Sequence, residues 1–149
     1  MRQLRRFLAL SSSERRLVVE AAFCLTAIRL ALRVLRFGTL WEIVNRAPRA
    51  SRHERATGGV STDRIAWAVA VISPYVVGVR PCLTQALAAQ VLLVRRGFPA
   101  RLRLGVARGE QGEVQAHAWT ETAGKVVSGG SAAELERFTP LLALDARRP

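Results

Sequence analysis

The sequence predicts an α+β fold, in which helices come first and a small antiparallel sheet follows. Between Cys82 and Arg96 the apolar residues recur at helical spacing, at Leu83, Ala86, Leu87, Val91 and Val94. After Gly97 the apolar period falls from 3.6 to 2, which is typical of a strand with one buried face. Polar turns then separate further alternating segments. With 149 residues, half of them apolar, the chain suits one domain with one core.

The first half of the chain has the start and stop signals of three helices. Ser11 and Glu14 form a capping-box pattern, which predicts a long helix from there to about residue 36, ended near Gly38. A short helix is expected at residues 40–44. Another is expected to begin after Ser61 and to end at Pro74, because proline interrupts the helical hydrogen-bond ladder.

The second half predicts one helix and four strands. Pro81 suits the first turn of the helix over residues 82–96, and Gly97 suits its C-terminal cap. Strands are expected over residues 100–106 and 114–121. A tight turn at Ala123-Gly124 then leads into a third strand at residues 125–128. Residues 138–142 predict an edge strand, where Pro140 is tolerated.

We divide the single domain, residues 1–149, into an N-terminal helical region (1–45), a basic connector (46–60) and a core (61–149). The net charge is +12, and residues 1–60 carry most of it, with 12 Arg against 4 Glu. Such a field attracts an acidic peptide, a nucleic acid or an anionic membrane surface. Arginine recurs at every third position of the connector, at Arg46, Arg49, Arg52 and Arg55. This segment is either a solvated linker or a partner-docking strip. In a pull-down, reversing the four charges should weaken binding of the partner or precursor only if the segment is a docking strip.

The sequence favours a cytoplasmic protein with neither a metal nor a cofactor. Glu20, Arg29 and Arg33 interrupt the apolar run at 17–35, and charges at the centre of a bilayer are costly. Cys24 lies in an apolar helical segment, where we expect it to pack as a small hydrophobe rather than to form a disulfide. The two cysteines and two histidines lack the spacing of a structural zinc site. No phosphate-binding glycine loop of the usual patterns occurs.

Cys82, at the start of a predicted helix, and His117, on a predicted strand 35 residues later, form the candidate catalytic pair. The first N–H groups of a helix lack intrahelical partners and carry partial positive charge, so both effects favour a thiolate. That thiolate would attack a carbonyl carbon, with His117 as general base and then as acid for the leaving amine. Taken alone, a Cys at a helix start or a His on a strand more often has a structural role. That structural role is the alternative to a catalytic pair.

A working histidine also needs an acceptor for its other ring nitrogen. The predicted hairpin places His117 across from residues 128–130, where no Asp or Asn occurs. The candidate acceptors are Ser128, Ser131, Glu121, the more distant Asp63 and a backbone carbonyl. Three further residues are expected to line the site, through oxyanion contacts or by shielding the pair from water: Leu83, Gln85 and Trp119.

Four segments closely resemble the transglutaminase-like leader peptidases of lasso-peptide biosynthesis, which are cysteine proteases of papain-like architecture. They are Pro81–Ala88, Arg95–Leu102, Gly105-Val106 and Ala116–Trp119. The resemblance implies a papain-like or transglutaminase-like core, with Cys82 as nucleophile and His117 as the catalytic histidine. It is specific from about residue 61 to residue 142. The family's third residue, an Asp about a dozen positions after the histidine, is absent here.

The resemblance also implies a reaction and its partners. The expected activity is cleavage of the leader from a ribosomally made lasso precursor peptide, without a cofactor, beside a separate leader-binding protein and an ATP-dependent cyclase. The missing Asp leaves a second interpretation open, a non-catalytic scaffold of the maturation complex. A third, a basic nucleic-acid-binding protein, is less favoured, because the few aromatic residues fall mostly in apolar runs and form no stacking platform.

Overall fold

A computed structural model describes residues 10–46, 60–78 and 82–145 of the chain. These residues form helices that are followed by strands, as the sequence predicts. In chain order the elements are α1 (Ser12–Val34), α2 (Phe37–Arg46), α3 (Thr62–Val76), α4 (Cys82–Arg95), β1 (Arg101–Arg108), β2 (Val114–Thr122), β3 (Lys125–Ser128), α5 (Ala132–Leu135) and β4 (Thr139–Asp145). Most of the basic connector, including Arg49, Arg52 and Arg55, lies outside the described residues.

The strands form one antiparallel sheet with the order β3-β2-β1-β4. One face of the sheet packs on α4, where Thr120 Oγ1 donates a 2.8 Å hydrogen bond to Ala86 O. Ala118 belongs to the same buried core. Because side chains alternate across a strand, His117 and Trp119 lie on the opposite face of β2. The sheet therefore has a core face and a second face that carries the histidine.

The main core lies between α1, α3, α4 and the first face of the sheet. Fully buried side chains in it include Leu25, Ile65, Leu87 and Leu102, each stabilising the fold by about 1.5–3 kcal/mol. Two of the three charges that interrupt the apolar run of α1 bind to neighbouring segments. Glu20 pairs with Arg96, which directly follows α4, and Arg29 donates a 2.8 Å hydrogen bond to the carbonyl of Val76 at the end of α3. No helix in the described segments is both long and apolar enough to cross a membrane.

The predicted caps of α1 and α3 are confirmed, and the short helix expected at residues 40–44 is longer, Phe37–Arg46. The predicted stops at Gly38 and Pro74 are wrong. Ser11 and Glu14 form the capping box at the start of α1, and Ser61 caps α3. The helix α1 ends at Val34, and Gly38 lies inside α2 rather than ending α1. The helix α3 continues through Pro74 to Val76. Both Pro74 and Ala70, whose carbonyl Pro74 cannot bond, are exposed, so water can satisfy that carbonyl.

The sheet follows the predicted pattern, with one element that the sequence interpretation missed. The turn at Ala123-Gly124 joins β2 to β3, and β4 is an edge strand that accommodates Pro140. The missed element is α5. Its signal is Ser131 followed by Glu134, which repeats the capping-box pattern of α1 and forms the same reciprocal hydrogen bonds.

Candidate active site

A cleft of about 690 Å³ opens at the edge of β2, beside the start of α4. Its walls come from the end of α3, the first turn of α4, β2 and the loops that flank α5: Pro74, Gly78, Cys82, Gln85, Gln115, Ala116, His117, Gly129, Arg137 and Phe138. Three of these, residues 115–117, are consecutive, so the cleft crosses the edge of β2 rather than lying over one face. The strand β3 pairs with β2 only from Thr120 to Thr122, and it leaves this edge uncovered.

Cys82 is the first residue of α4, a half-buried free thiol that lines the cleft. The start of a helix offers N–H groups without intrahelical acceptors and partial positive charge, which favour a thiolate and a nearby oxyanion. Gln85 follows one turn later on the same wall of the cleft. Its Nε2 donates a 2.7 Å hydrogen bond to Ser73 Oγ, and Ser73 is fully buried. The Gln85 amide is therefore anchored to α3.

His117 reaches the same cleft from β2, and a backbone carbonyl holds its ring. The distance from His117 Nε2 to Gly129 O is 2.5 Å. A carbonyl oxygen can only accept a hydrogen bond, so Nε2 carries the proton, and in the neutral ring Nδ1 has the lone pair. Nδ1 is therefore the nitrogen that can take a proton from a thiol. The ring also stacks on Phe138 and on Trp119, with centroid distances of 5.0 Å and 6.3 Å.

Two glycines allow this arrangement. A Cβ atom on Gly105, which pairs with His117 across the β1–β2 ladder, would lie 2.9 Å from the Trp119 ring. Gly129 has a φ of +101°, and a Cβ atom there would lie 2.6 Å from both Ala118 O and Trp119 Cβ. Both distances are shorter than ordinary van der Waals contact, so neither position has room for a side chain. The backbone at Gly129 reaches His117 because it has no side chain.

The predicted side-chain acceptors for His117 have other roles. Glu121 accepts hydrogen bonds from Arg103 Nε at 3.2 Å and from Trp119 Nε1 at 2.9 Å. Ser131 caps α5, and Ser128 is buried at the end of β3 opposite Thr120. Asp63 pairs with Lys125 at 2.7 Å. Of the alternatives that the sequence left open, the backbone carbonyl is the one in contact with the ring.

The three residues expected to line the site have different positions. Gln85 lines the cleft, Leu83 packs against the main core, and Trp119 is buried beside the His117 ring. The sequence predicts neither Arg137 nor Phe138 as a site residue, and for Phe138 it predicts only a place in the edge strand at residues 138–142. Arg46, the described member of the predicted docking strip, pairs with Glu42 on its own helix. Among the described residues, no group of three or more His, Cys, Asp or Glu side chains could hold a metal ion.

Comparison with known families agrees with this architecture. The model of the transglutaminase-like superfamily matches residues 22–143, which is most of the chain. The chain belongs to the transglutaminase-like superfamily. This match includes both α4 and the antiparallel sheet, and members of the superfamily are generally of the cysteine-protease or transglutaminase type. No curated protein and no solved structure matches this transglutaminase-like chain significantly.

Proposed function

We propose that this transglutaminase-like protein is a cysteine endopeptidase that removes the leader from a ribosomally made lasso precursor peptide. The observation that carries the proposal is that Cys82, at the head of α4, and His117, on β2, line one cleft. Superfamily membership supports thiol chemistry in that cleft. The resemblance of the segments around Cys82 and His117 to leader peptidases supports the choice of substrate.

In the proposed reaction, His117 Nδ1 takes the proton from Cys82 Sγ, and the thiolate attacks the carbonyl carbon of the scissile peptide bond. Negative charge develops on the carbonyl oxygen, where N–H groups at the start of α4 and the Gln85 amide stabilise it. The His117 imidazolium then gives its proton to the leaving amine as the C–N bond breaks. The resulting thioester is hydrolysed by a water molecule that Nδ1 deprotonates, which releases the acid and restores the thiol.

The Gly129 carbonyl favours catalysis over the scaffold alternative. That alternative rests on the missing Asp, which leaves no carboxylate to orient the histidine. Gly129 lies 12 residues after His117, the region where the related peptidases have their Asp, and its carbonyl accepts the Nε2 hydrogen bond. An orienting acceptor is therefore present without a carboxylate. We place the reaction in the cytoplasm, beside a leader-binding protein and an ATP-dependent cyclase that uses the freed amine.

The test is leader release followed by mass spectrometry, with the full chain, a candidate lasso precursor peptide and its leader-binding protein. Wild type is expected to release the leader. Cys82→Ala is expected to slow release at least about a thousandfold, because the other thiol, Cys24, does not line the cleft. Cys24→Ala is the matched control and should retain the wild-type rate. Release by Cys82→Ala at the wild-type rate would overturn the proposal. A wild-type protein that assembles with its partners but releases no leader would be the scaffold.

A further inference from the structure

Arg137 gives the candidate cleft its positive charge. Among the described residues that line the cleft, three have ionisable side chains: Cys82, His117 and Arg137. Arg137 lies between the end of α5 and β4, and it is exposed. A peptide that enters the cleft therefore meets one permanent cation among the described residues, Arg137.

The position of this cation relative to the reaction centre is fixed by an aromatic ring. Phe138 is buried and stacks on the His117 ring with a centroid distance of 5.0 Å. The Cζ atom of Arg137 lies 4.8 Å from the centroid of the same Phe138 ring, within the range of a cation–π contact. The guanidinium is thus at most about 10 Å from the imidazole centre. An extended peptide spans about 3.3–3.6 Å per residue, so this distance corresponds to about three residues.

Arg137 has no carboxylate within ion-pair distance in the described part of the chain, and the other described core arginines without one, Arg95 and Arg108, lie outside the cleft. Arg96, Arg101 and Arg103 each pair with a carboxylate of the protein. Glu134 of this turn has a carboxylate that accepts hydrogen bonds from Ser131 N at 2.7 Å and Ser131 Oγ at 2.8 Å. Glu134 is thereby engaged in the capping box of α5. These hydrogen bonds lower the pKa of Glu134, and the charge of Arg137 adds a smaller lowering without an ion pair. The guanidinium keeps its donors available to a ligand.

We infer that Arg137 is a specificity-determining residue that binds a carboxylate of the substrate, contributed by an Asp or Glu side chain within about three residues of the scissile bond. The inference rests on the proposed peptidase function. A guanidinium suits this role, because its planar donors match both oxygens of a carboxylate. Stacking on Phe138 holds the group in place before the substrate arrives. The carboxylate could also be the C-terminus of a short peptide, and the test separates these two sources.

The experiment compares peptides that span the leader–core junction, with Asp, Asn or Lys at each of three positions on either side of the scissile bond. The full chain cleaves these peptides in competition in the presence of the leader-binding protein, and mass spectrometry gives the ratios of kcat/KM. At one position, Asp is expected to be preferred over Asn about tenfold. Arg137→Gln should abolish this preference, and Arg137→Glu should shift it to Lys. Peptides with amidated and free C-termini distinguish a side chain from a chain end.

The matched control is Arg108→Gln, which removes an exposed arginine outside the cleft and should leave the preference for Asp unchanged. For the Asn peptide, kcat should change less than about threefold in Arg137→Gln, since a specificity residue does not take part in bond cleavage. A preference for Asp that survives Arg137→Gln would overturn the inference, and so would equal cleavage of Asp and Asn peptides by wild type.

A binding measurement keeps the two proposals separate. Cys82→Ala protein captures the same peptides without cleaving them, and bound peptide is quantified by mass spectrometry. If wild type cleaves none of the peptides, the proposed function fails. The carboxylate site is still supported if the protein captures more Asp peptide than Asn peptide and loses this preference in Arg137→Gln. If Cys82-dependent cleavage occurs and neither cleavage nor capture depends on Arg137, the inference fails while the proposed function stands.

Discussion

The surroundings of the two cysteines differ although both contact the same helix. Cys82 begins α4 and lines the cleft with His117, whereas Cys24 projects from α1 against the middle of α4, with its Sγ 4.0 Å from Ala88 O. Both side chains are partly buried and both thiols are free. The exposed fractions of the two residues are therefore similar, and the differences lie in the burial of the Cys24 sulfur and in the polar atoms beside each sulfur.

One helix offers opposite electrostatics at its start and in its middle. At the start, unpaired N–H groups favour a thiolate, whereas beside Ala88 a carbonyl oxygen faces the sulfur. Burial raises the pKa of the Cys24 thiol to about 11, although the positive charge of Arg95 opposes this shift. The comparison teaches that the position along the helix, rather than the presence of a cysteine on its surface, separates a nucleophile from a packing residue.

The largest difference expected between the two cysteines is in the rate of alkylation. A thiol with a pKa of about 11 has, at pH 7.5, about 100-fold less thiolate than a thiol with the ordinary pKa of 9.0. We therefore expect N-ethylmaleimide to modify Cys82 at least about a hundredfold faster than Cys24 in the folded protein, as measured by peptide mapping. Cys82→Ala should take up almost no label until it is unfolded, whereas Cys24→Ala should label as wild type. Comparable rates at the two sites would erase the distinction.

The second prediction concerns the Gly129 carbonyl, which contacts His117 in the cleft that Cys82 also lines. In Gly129→Ala, the new Cβ atom would meet Ala118 O and Trp119 Cβ, so the loop has to move away from His117. We expect kcat to fall about 10–100-fold with little change in KM, and stability to fall by about 1–3 kcal/mol. The ¹⁵N chemical shifts of His117 should show a loss of the Nε2–H tautomer, which a change in stability alone would not produce.

Gly130→Ala is the matched control for this substitution. Gly130 also has a positive φ, +119°, but the nearest neighbour of its Cβ atom is Glu134 Oε2 at 3.2 Å, the end of a flexible side chain. The backbone strain is thus comparable, while the clash with β2 is absent. We expect Gly130→Ala to lose stability but to keep the tautomer and most of kcat. If Gly129→Ala also kept both, the carbonyl would have no part in orienting the histidine.

Much of the fold was predictable because local patterns determine it. The capping box at Ser11, the stripe of α4 and the turn at Ala123-Gly124 depend on neighbouring residues, and the structure has all three. The ends of α1 and α3 were less predictable, because Gly38 and Pro74 are tolerated inside helices where solvent is close. Propensity alone therefore located the helices better than their ends.

The site was predictable only where a side chain carries the chemistry. Cys82 and His117 could be named from the sequence, and the structure brings both into one cleft. The acceptor for His117 could not be chosen from the sequence, because every residue has a backbone carbonyl. Nothing in the sequence around Gly129 indicates that its carbonyl, rather than another, contacts the histidine. Arg137 was missed for a different reason. Its place beside the cleft depends on Phe138 stacking on a histidine in another strand, which no local pattern encodes.

The smallest expected effect is on the pH dependence of stability, and it tests the other half of the comparison. In the unfolded chain the Cys24 thiol titrates near its ordinary pKa of 9.0, and in the folded protein near 11. Below pH 9 both states keep the proton, so Cys24 contributes no pH dependence there. As the pH rises from 9 through 11, the unfolded state loses its proton first. The free energy of unfolding should therefore fall, by about 1–2 kcal/mol.

Urea unfolding of wild type and Cys24→Ala at several pH values between 8 and 11 isolates this contribution, because every other group that titrates in the range is common to both proteins. Cys24→Ala should be less stable than wild type at pH 8, since it loses buried sulfur contacts, and the gap should narrow as the pH approaches 11. A gap that stays constant would mean that Cys24 can ionise in the folded state as easily as in the unfolded chain. The alkylation contrast would then depend on access to the two sulfurs alone, and the electrostatic distinction between the start and the middle of α4 would be lost.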